Sequence, residues 1–227
     1  MKKLFSTLAL SVISFLIALL CCSQAARSRD SVDAGKQPGK SVGTDGAKAG
    51  EPPSASNPLP VFPREQEGYY SCWATCAEMV MEFLGGGRIR QCEQVNVAFN
   101  HTICCVEDGV LDHGVCDQQW FPEFEKWGFD FDFRSHQPLD WVELTTEINE
   151  GRPFMFSWRV SATVDINHMM LVIGYDDSRG ENMVIFLDPL YATEADAVMA
   201  SFSDYNGTSR DHPHRDDYFR IRPIAFP

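Results

Sequence analysis

The stretch QEGYYSCWATCAEMVMEFLGGG, Gln66 to Gly87, decides how the rest of the chain is read. From Cys72 onward, Trp73, Cys76 with Ala77, Val80, and Phe83 with Leu84 recur at the i, i+3, i+4 and i+7 positions of a helix, and Gly85-Gly86-Gly87 stops the pattern. The spacing predicts a helix with Cys72 in its first turn. There the helix dipole and the free backbone N–H groups stabilise an anion, which raises the thiolate fraction of a cysteine. Cys76 lies one turn deeper, lacks that help, and reads as a small buried apolar residue. A bridge between the two is not expected, because side chains on one face of a regular helix have poor disulfide geometry. Two neighbouring cysteines thus receive different roles, and Cys72 is the candidate nucleophile.

A nucleophilic cysteine needs a base and a group that orients the base. Later in the chain GRPFMFSWRV, Gly151 to Val160, reads as a strand after a turn, and HMMLVIGYDDSRGENMVIFLDPL, His168 to Leu190, reads as a hairpin. His168 begins the first strand of that hairpin and Asp188 ends the second. A turn centred near Arg179 pairs residues whose numbers sum to about 358, which sets Asp188 opposite Met170 and diagonal to His168. A slip of one residue would put the two on opposite faces. In the expected register the carboxylate fixes the imidazole tautomer and steadies the imidazolium, while the other ring nitrogen faces the thiol. Gln66, six residues before Cys72, lies where its side-chain amide can join the Cys72 backbone N–H in an oxyanion hole. Each of these residues alone has an ordinary structural explanation, Gln66 as an exposed loop glutamine; together, at the ends of elements, they form a catalytic constellation.

Working outward, Met1-Lys2-Lys3, the apolar run Leu4 to Leu20 and the small-x-small Ser23-Gln24-Ala25 read as a signal peptide over residues 1–25. A retained anchor would call for stop-transfer charges after the run, and none cluster there. Cys21 or Cys22 as a lipid-modified residue is the other membrane option, although Leu20 and Cys21 precede them where a bacterial lipoprotein signal would normally have Gly, Ala or Ser. Residues 26–59, built from Gly, Pro, Ser, Ala, Lys and Asp with almost no large apolar side chains, read as a disordered linker. Residues 60–227 are aromatic-rich and long enough for one domain with a core. The expected protein is exported, periplasmic or extracellular, and monomeric, with no membrane contact beyond a lipid anchor. Its net charge is −13, and losing Lys2 and Lys3 with the leader takes it to −15. Such acidity argues against nucleic acid and anionic membranes as partners, since phosphates are held by Lys and Arg.

The six cysteines beyond the leader follow the same logic. In an exported chain oxidation is the default, and Cys92, Cys104, Cys105 and Cys116 crowd into QCEQVNVAFNHTICCVEDGVLDHGVC. A bridge between Cys104 and Cys105 would be strained, so Cys92 pairs with one of them and Cys116 with the other; both assignments stay open. The competing reading is zinc, on the spacing His101-x-x-Cys104 and His113-x-x-Cys116. Export and the lack of a C-x-x-C pair favour disulfides, and no cofactor is expected.

Trp120, Phe121, Phe124 and Trp127 recur at helical spacing and read as the core of a short amphipathic helix, with an aromatic cleft wall as the alternative. Trp141, Leu144 and Ile148 define another helix, with Asp140 near its start and Gly151 beyond its end. DHPHRDD, with His212, His214 and Asp216, reads as a solvated loop before the final strand rather than as a metal site. Asn100-His101-Thr102 and Asn206-Gly207-Thr208 match the glycosylation acceptor pattern.

Gln66, then Ser71-Cys72-Trp73, and the order Cys, His, Asp with about twenty residues between the last two, resemble the papain-like cysteine peptidases. More narrowly, the C-W-A helix start, the Q-C followed by C-C and another Cys, and G-R-P-F before H-M-M-L-V-I-G-Y-D with D-P-L resemble a short bacterial branch. That branch is close to the bacteriocin-processing peptidases and to secreted effector proteases of plant pathogens. The likeness spans roughly Pro60 to Leu190. It implies an α+β, papain-like fold in which a helical subdomain carrying Cys72 packs on an antiparallel sheet carrying His168 and Asp188, with the site in the cleft between. It implies hydrolysis of a peptide or protein substrate through a Cys-His-Asp triad and a thioester. The chain departs from the branch at Ser71, where an aromatic is expected, at Cys76 and in the acidic loop after Cys105, and it departs from papain itself at Asp188, where papain has Asn. The same constellation also serves acyltransferases and deamidases, and a binding module can keep the fold without the chemistry.

Overall fold

The structure, a computed structural model, describes residues 58–225 apart from 108, 111–113, 162–163, 179, 192–196 and 208–211. The leader, the linker up to residue 57, Cys21, Cys22, His113 and Thr208 lie outside the described residues. Pro58 and Leu59, assigned by composition to the linker, belong to the folded unit: the Leu59 N–H donates to the Ile173 carbonyl at 2.8 Å.

Helix α1, Cys72–Phe83, forms where the apolar spacing places it, and every residue from Cys72 to Met81 is buried. Burial on all sides marks it as an internal helix, packed between the sheet and helix α2, Gln91–Ala98. Its one buried carboxylate, Glu78, is answered by Arg88 Nε at 2.6 Å and by Arg64 Nε at 3.4 Å. The glycine run stops α1 for a steric reason: Gly85 has φ +86°, and a Cβ on Gly86 would lie 2.5 Å from the Phe129 ring. Strands β1, Cys105–Val106, and β2, Gly109–Val110, make a small ladder beside α2. The connectivity left open by the sequence is Cys92 to Cys105 and Cys104 to Cys116. With both sulfurs of the second bridge engaged, the zinc reading of Cys104 and Cys116 is overturned.

The aromatic run does not make the expected helix. Only Phe124–Trp127 coils, as one 3₁₀ turn ending at Gly128 with φ +80°, and Trp120 and Phe121 stay exposed on an irregular segment. Pro122 explains the difference, because the residue before a proline is pushed out of helical backbone and the pattern breaks between the two pairs. Strand β3, Phe129–Ser135, follows, and then helix α3, Trp141–Asn149. A capping box opens α3, with Glu143 N–H donating to Asp140 Oδ1 at 2.8 Å, and Gly151 at φ +74° follows its end as expected.

Strands β4, Phe154–Ser161, β5, Val164–Asp176, β6, Met183–Leu187, β7, Ala197–Ser201, and β8, His214–Pro223, complete a six-stranded antiparallel sheet in the order β3-β8-β4-β5-β6-β7. The one-turn helix α4, Phe202–Tyr205, leads out of β7. β5 explains its own apolar run by burying both faces. Met169, Leu171 and Ile173 join α1 in one cluster, while Met170, Val172 and Tyr175 join Leu144 and Ile148 of α3 in another. A bulge between Val172 and Gly174 shifts the alternation, and at Gly174 the backbone of Pro58 would stand 3.2 Å from a Cβ. Ahead of that bulge Leu171 faces Leu187 and Val172 faces Phe186, the register expected from the turn. β5 starts four residues before His168, so the histidine sits within the strand instead of opening it; Val164 and Asn167 pair with Ser161 and Arg159 of β4. The result is an α+β fold with α1 and α2 on one face of an antiparallel sheet and α3 on the other.

The segment DHPHRDD is not a solvated loop either. His214 and Asp217 are buried in β8, where Asp217 Oδ2 accepts the Leu139 N–H at 3.0 Å and its Oδ1 accepts the Tyr205 hydroxyl at 3.0 Å. Among the described residues no helix is long and apolar enough to cross a membrane.

Candidate active site

Cys72 is the first residue of α1, and the backbone ahead of it leaves the helix end chemically open. Ser71, at the N-cap, makes no capping bond. Its hydroxyl instead accepts from the Gly68 N–H at 2.8 Å and donates to the Gly68 carbonyl at 2.9 Å. With no acidic residue in the first turn either, neither the dipole nor the first N–H groups are compensated by side chains. Ser71 is 2 % exposed, so the aromatic expected from the resemblance would not fit there. Gln91 of α2 fastens the approach: its Oε1 accepts the Glu67 N–H at 2.8 Å and its Nε2 donates to the Glu65 carbonyl at 2.9 Å. Asp117 Oδ1 accepts the Tyr70 N–H at 2.6 Å.

His168 and Asp188 meet as the register demands. β6 ends at Leu187, Asp188 follows, and its Oδ1 accepts from His168 Nε2 at 2.7 Å and from the Leu190 N–H at 2.9 Å. That bond makes Nε2 the protonated nitrogen on the carboxylate side and leaves Nδ1 on the other; the Cys72 side chain is near enough to help raise the His168 pKa. Burial favours the neutral ring, yet the Asp188 charge and the bonds to Asp188 and Cys72 outweigh it and hold the His168 pKa well above its ordinary value. Burial likewise pushes Asp188 up, but the charge and hydrogen bond of His168, with the Leu190 N–H, bring it below the ordinary carboxylate value. The pair therefore favours imidazolium beside carboxylate, with the side chains of His168 and Asp188 still 19 % and 17 % exposed.

Gln66 arrives at the same place by its backbone, its N–H donating to the Pro189 carbonyl at 2.8 Å. Its side chain does something the sequence did not suggest. Nε2 donates to the carbonyls of Gly68 at 2.9 Å and Tyr69 at 2.8 Å, while Oε1 is buried without a hydrogen-bond partner. As it stands, the amide braces the loop that delivers Cys72, and an oxyanion would have to take one of its hydrogens from a carbonyl. Cys76 is fully buried with Sγ 3.5 Å from the Met169 carbonyl, and burial raises its pKa well above the thiol range. It is the inert neighbour that the helix position implied.

Sequence reasoning missed three residues that hold this geometry, Gln91, Asp117 and Gln119. The segment carrying the last two runs beside both halves of the site. Trp73 Nε1 donates to the Gln118 carbonyl at 3.3 Å, and Gln119 Oε1 accepts the Asn167 N–H at 3.0 Å, one residue before His168. A polar side chain in irregular backbone carries no periodic signal; the one available clue was their place just after Cys116. No group of three or more metal-ligating side chains occurs among the described residues.

A protein-family model described as the Peptidase_C39 like family matches residues 58–210. No curated protein matches the chain.

Proposed function

This chain belongs to the Peptidase_C39-like family, whose members are papain-like cysteine peptidases, and from that premise we propose that it hydrolyses peptide bonds through Cys72, His168 and Asp188. The observation that carries the reading is the 2.7 Å bond between Asp188 Oδ1 and His168 Nε2, with Cys72 close enough to the ring to raise its pKa and placed at an uncapped helix N-terminus. Cys72, as the thiolate partner of the His168 imidazolium, attacks the substrate carbonyl. The resulting oxyanion is held by the Cys72 N–H and by the Gln66 amide, which exchanges one backbone carbonyl for it. His168 gives its proton to the leaving amine, the C–N bond breaks, and a thioester remains. The neutral ring then takes a proton from water, hydroxide adds to the thioester, and the thiolate leaves with its imidazolium restored.

The substrate is a peptide or protein, and nucleic acid is not a partner; the acidity of the chain supports this. The finer placement in a secreted bacterial branch, cleavage of residues 1–25 as a signal peptide, export to periplasm or exterior, and a monomeric state form the remainder of the proposal. Two disulfides and the lack of a membrane-spanning helix among the described residues are compatible with export. The deciding experiment is mass-spectrometric mapping of the native, non-reduced protein after treatment with a papain-type epoxide and with iodoacetamide. Labelling of Cys72 at mildly acidic pH, lost in His168→Ala, is the expected result. An unreactive Cys72, or one found in a disulfide, would sink the reading and leave the cleft as a docking site.

A further inference from the structure

Gln91 is the first residue of α2 and 1 % exposed, and its amide is committed to the neighbours of two residues in the proposed reaction. Nε2 donates to the Glu65 carbonyl at 2.9 Å and Oε1 accepts the Glu67 N–H at 2.8 Å, so one side chain grips the backbone on both sides of Gln66. The Ser71 hydroxyl, next to the nucleophile, stands 3.3 Å from the same Oε1.

A peptide unit is planar, so holding its carbonyl and its N–H holds the plane. The unit joining Glu65 to Gln66 is held at the carbonyl by Gln91 and at the N–H by the Pro189 carbonyl, 2.8 Å away and one residue beyond Asp188. The unit joining Gln66 to Glu67 is held at its N–H, again by Gln91. Both soft torsions of Gln66 are thereby restrained, and with them the direction in which its side chain leaves the backbone. Gln91 is itself anchored, since Glu93 Oε2 accepts the Arg90 N–H at 3.0 Å and Cys92 is bridged to Cys105. The Cys72 N–H has a separate brace: the Ser71 carbonyl of the same peptide unit accepts from both the N–H and the hydroxyl of Thr75, each at 2.9 Å.

We infer that Gln91 is a positioning residue for the oxyanion hole, acting through Gln66 and not through Cys72. With the backbone of Gln66 clamped, its amide passes from the Gly68 and Tyr69 carbonyls to an oxyanion by turning its own side-chain torsions while the loop stays at rest. A donor placed in advance costs no reorganisation when charge develops. The grip needs a donor and an acceptor on one planar group, and at that side-chain length an amide or a protonated carboxyl supplies both. This role rests on the proposed reaction, in which Gln66 helps hold the oxyanion.

The test is a double-mutant cycle on kcat for a cleaved peptide, with Gln91→Leu, Gln66→Ala and the pair, run beside iodoacetamide labelling of Cys72. Alkylation builds no oxyanion, so it reports the thiolate alone. Gln91→Leu should lower kcat by about 10- to 100-fold, with KM and the alkylation rate within about twofold of wild type. The pair should be no slower than Gln66→Ala, because the brace has nothing left to position. Gln91→Glu should turn over while its buried carboxyl is protonated and donates to Glu65, and should fail as the carboxylate forms, which gives kcat a pH limb absent from the wild type. Should Gln91→Leu fail to fold, the pH profile of Gln91→Glu decides alone. Additive losses in the cycle, alkylation that falls together with kcat, or a Gln91→Glu profile parallel to wild type would each overturn the inference and leave Gln91 a general prop of the fold. If Gln66→Ala keeps the wild-type kcat while Cys72 alkylation depends on His168, the positioning role falls and the peptidase reading stands. Alkylation indifferent to His168 overturns both.

Discussion

Replacing Asp188 by Asn removes a charge from the site while keeping its geometry, because an asparagine oxygen can still accept the bonds that Oδ1 takes from His168 Nε2 at 2.7 Å and Leu190 N–H at 2.9 Å. Two unit charges about 4 Å apart attract by about 4 kcal/mol at the effective dielectric of a protein pair. With the His168 and Asp188 side chains 19 % and 17 % exposed, solvent screening cuts this roughly in half. About 2 kcal/mol of support for the imidazolium remains, and about 1.4 kcal/mol is a tenfold change in its protonation equilibrium. The sign follows from the direction of the shift. His168 has its pKa raised in the native protein, so the protonated ring survives to higher pH, and removing the carboxylate moves its loss to lower pH. The alkaline limb of kcat/KM against a cleaved peptide should therefore shift acidward by about one to two pH units in Asp188→Asn, with the optimum rate reduced modestly. Asp188→Ala discards the tautomer-fixing acceptor as well, and kcat should drop by about 10³- to 10⁴-fold. An alkaline limb that stays in place in Asp188→Asn, or an alanine variant no worse than the asparagine one, would refute the reasoning.

Gln66→Ala should lower kcat by about 10²-fold or more if its amide joins the oxyanion hole, and a loss confined to KM or to thermal stability would assign it to bracing the Gly68 and Tyr69 carbonyls alone. Iodoacetamide should modify Cys72 and spare Cys76 in the native protein, and Cys76→Ala should leave that pattern intact; labelling of Cys76 before unfolding would contradict its burial. Selective reduction of the bridge between Cys104 and Cys116 should weaken turnover without modifying the nucleophile, and unchanged turnover would show that the cleft does not depend on that tether. Asp217→Ala strands the Leu139 N–H, the Tyr205 hydroxyl and His214, and should cost about 3–5 kcal/mol in denaturant unfolding; a loss under about 1 kcal/mol would mean that water or repacking satisfies them.

What could be read beforehand was whatever repeats or is counted. α1 came from its apolar spacing and glycine stop, and the β5–β6 register came from the turn position, which together brought Cys72, His168 and Asp188 to one place. The start of β5 was missed because Asp165 and Asn167 break the continuous apolar run that marks the rest of the strand. The aromatic helix failed at Pro122, where a local backbone preference overrode a periodic pattern. His214 and Asp217 were hidden because a buried polar network looks, in sequence, like any charged loop; only the partners Leu139 and Tyr205, distant in the chain, distinguish them. The Gln66 side chain turns to the Gly68 and Tyr69 carbonyls, since the direction of an amide depends on carbonyls whose orientation no spacing encodes.

Cys104 and Cys105 stand side by side and are pulled to opposite partners, over separations of 12 and 13 residues. Exchanging the partners would shorten each loop by a single residue, and the difference in closure entropy is under about 0.1 kcal/mol for each loop. Chain statistics are therefore indifferent between the two isomers. The discriminating device is Asn96 of α2, whose Oδ1 accepts the Cys104 N–H at 2.9 Å and whose Nδ2 donates to Cys105 Sγ at 3.5 Å, so that only Cys105 is turned toward Cys92. That device exists only once α2 has formed. A nascent chain oxidised too early has no means of telling its two middle sulfurs apart, and half of such molecules would begin life cross-wired; the order of events, coiling first and oxidation second, is part of what the sequence must specify.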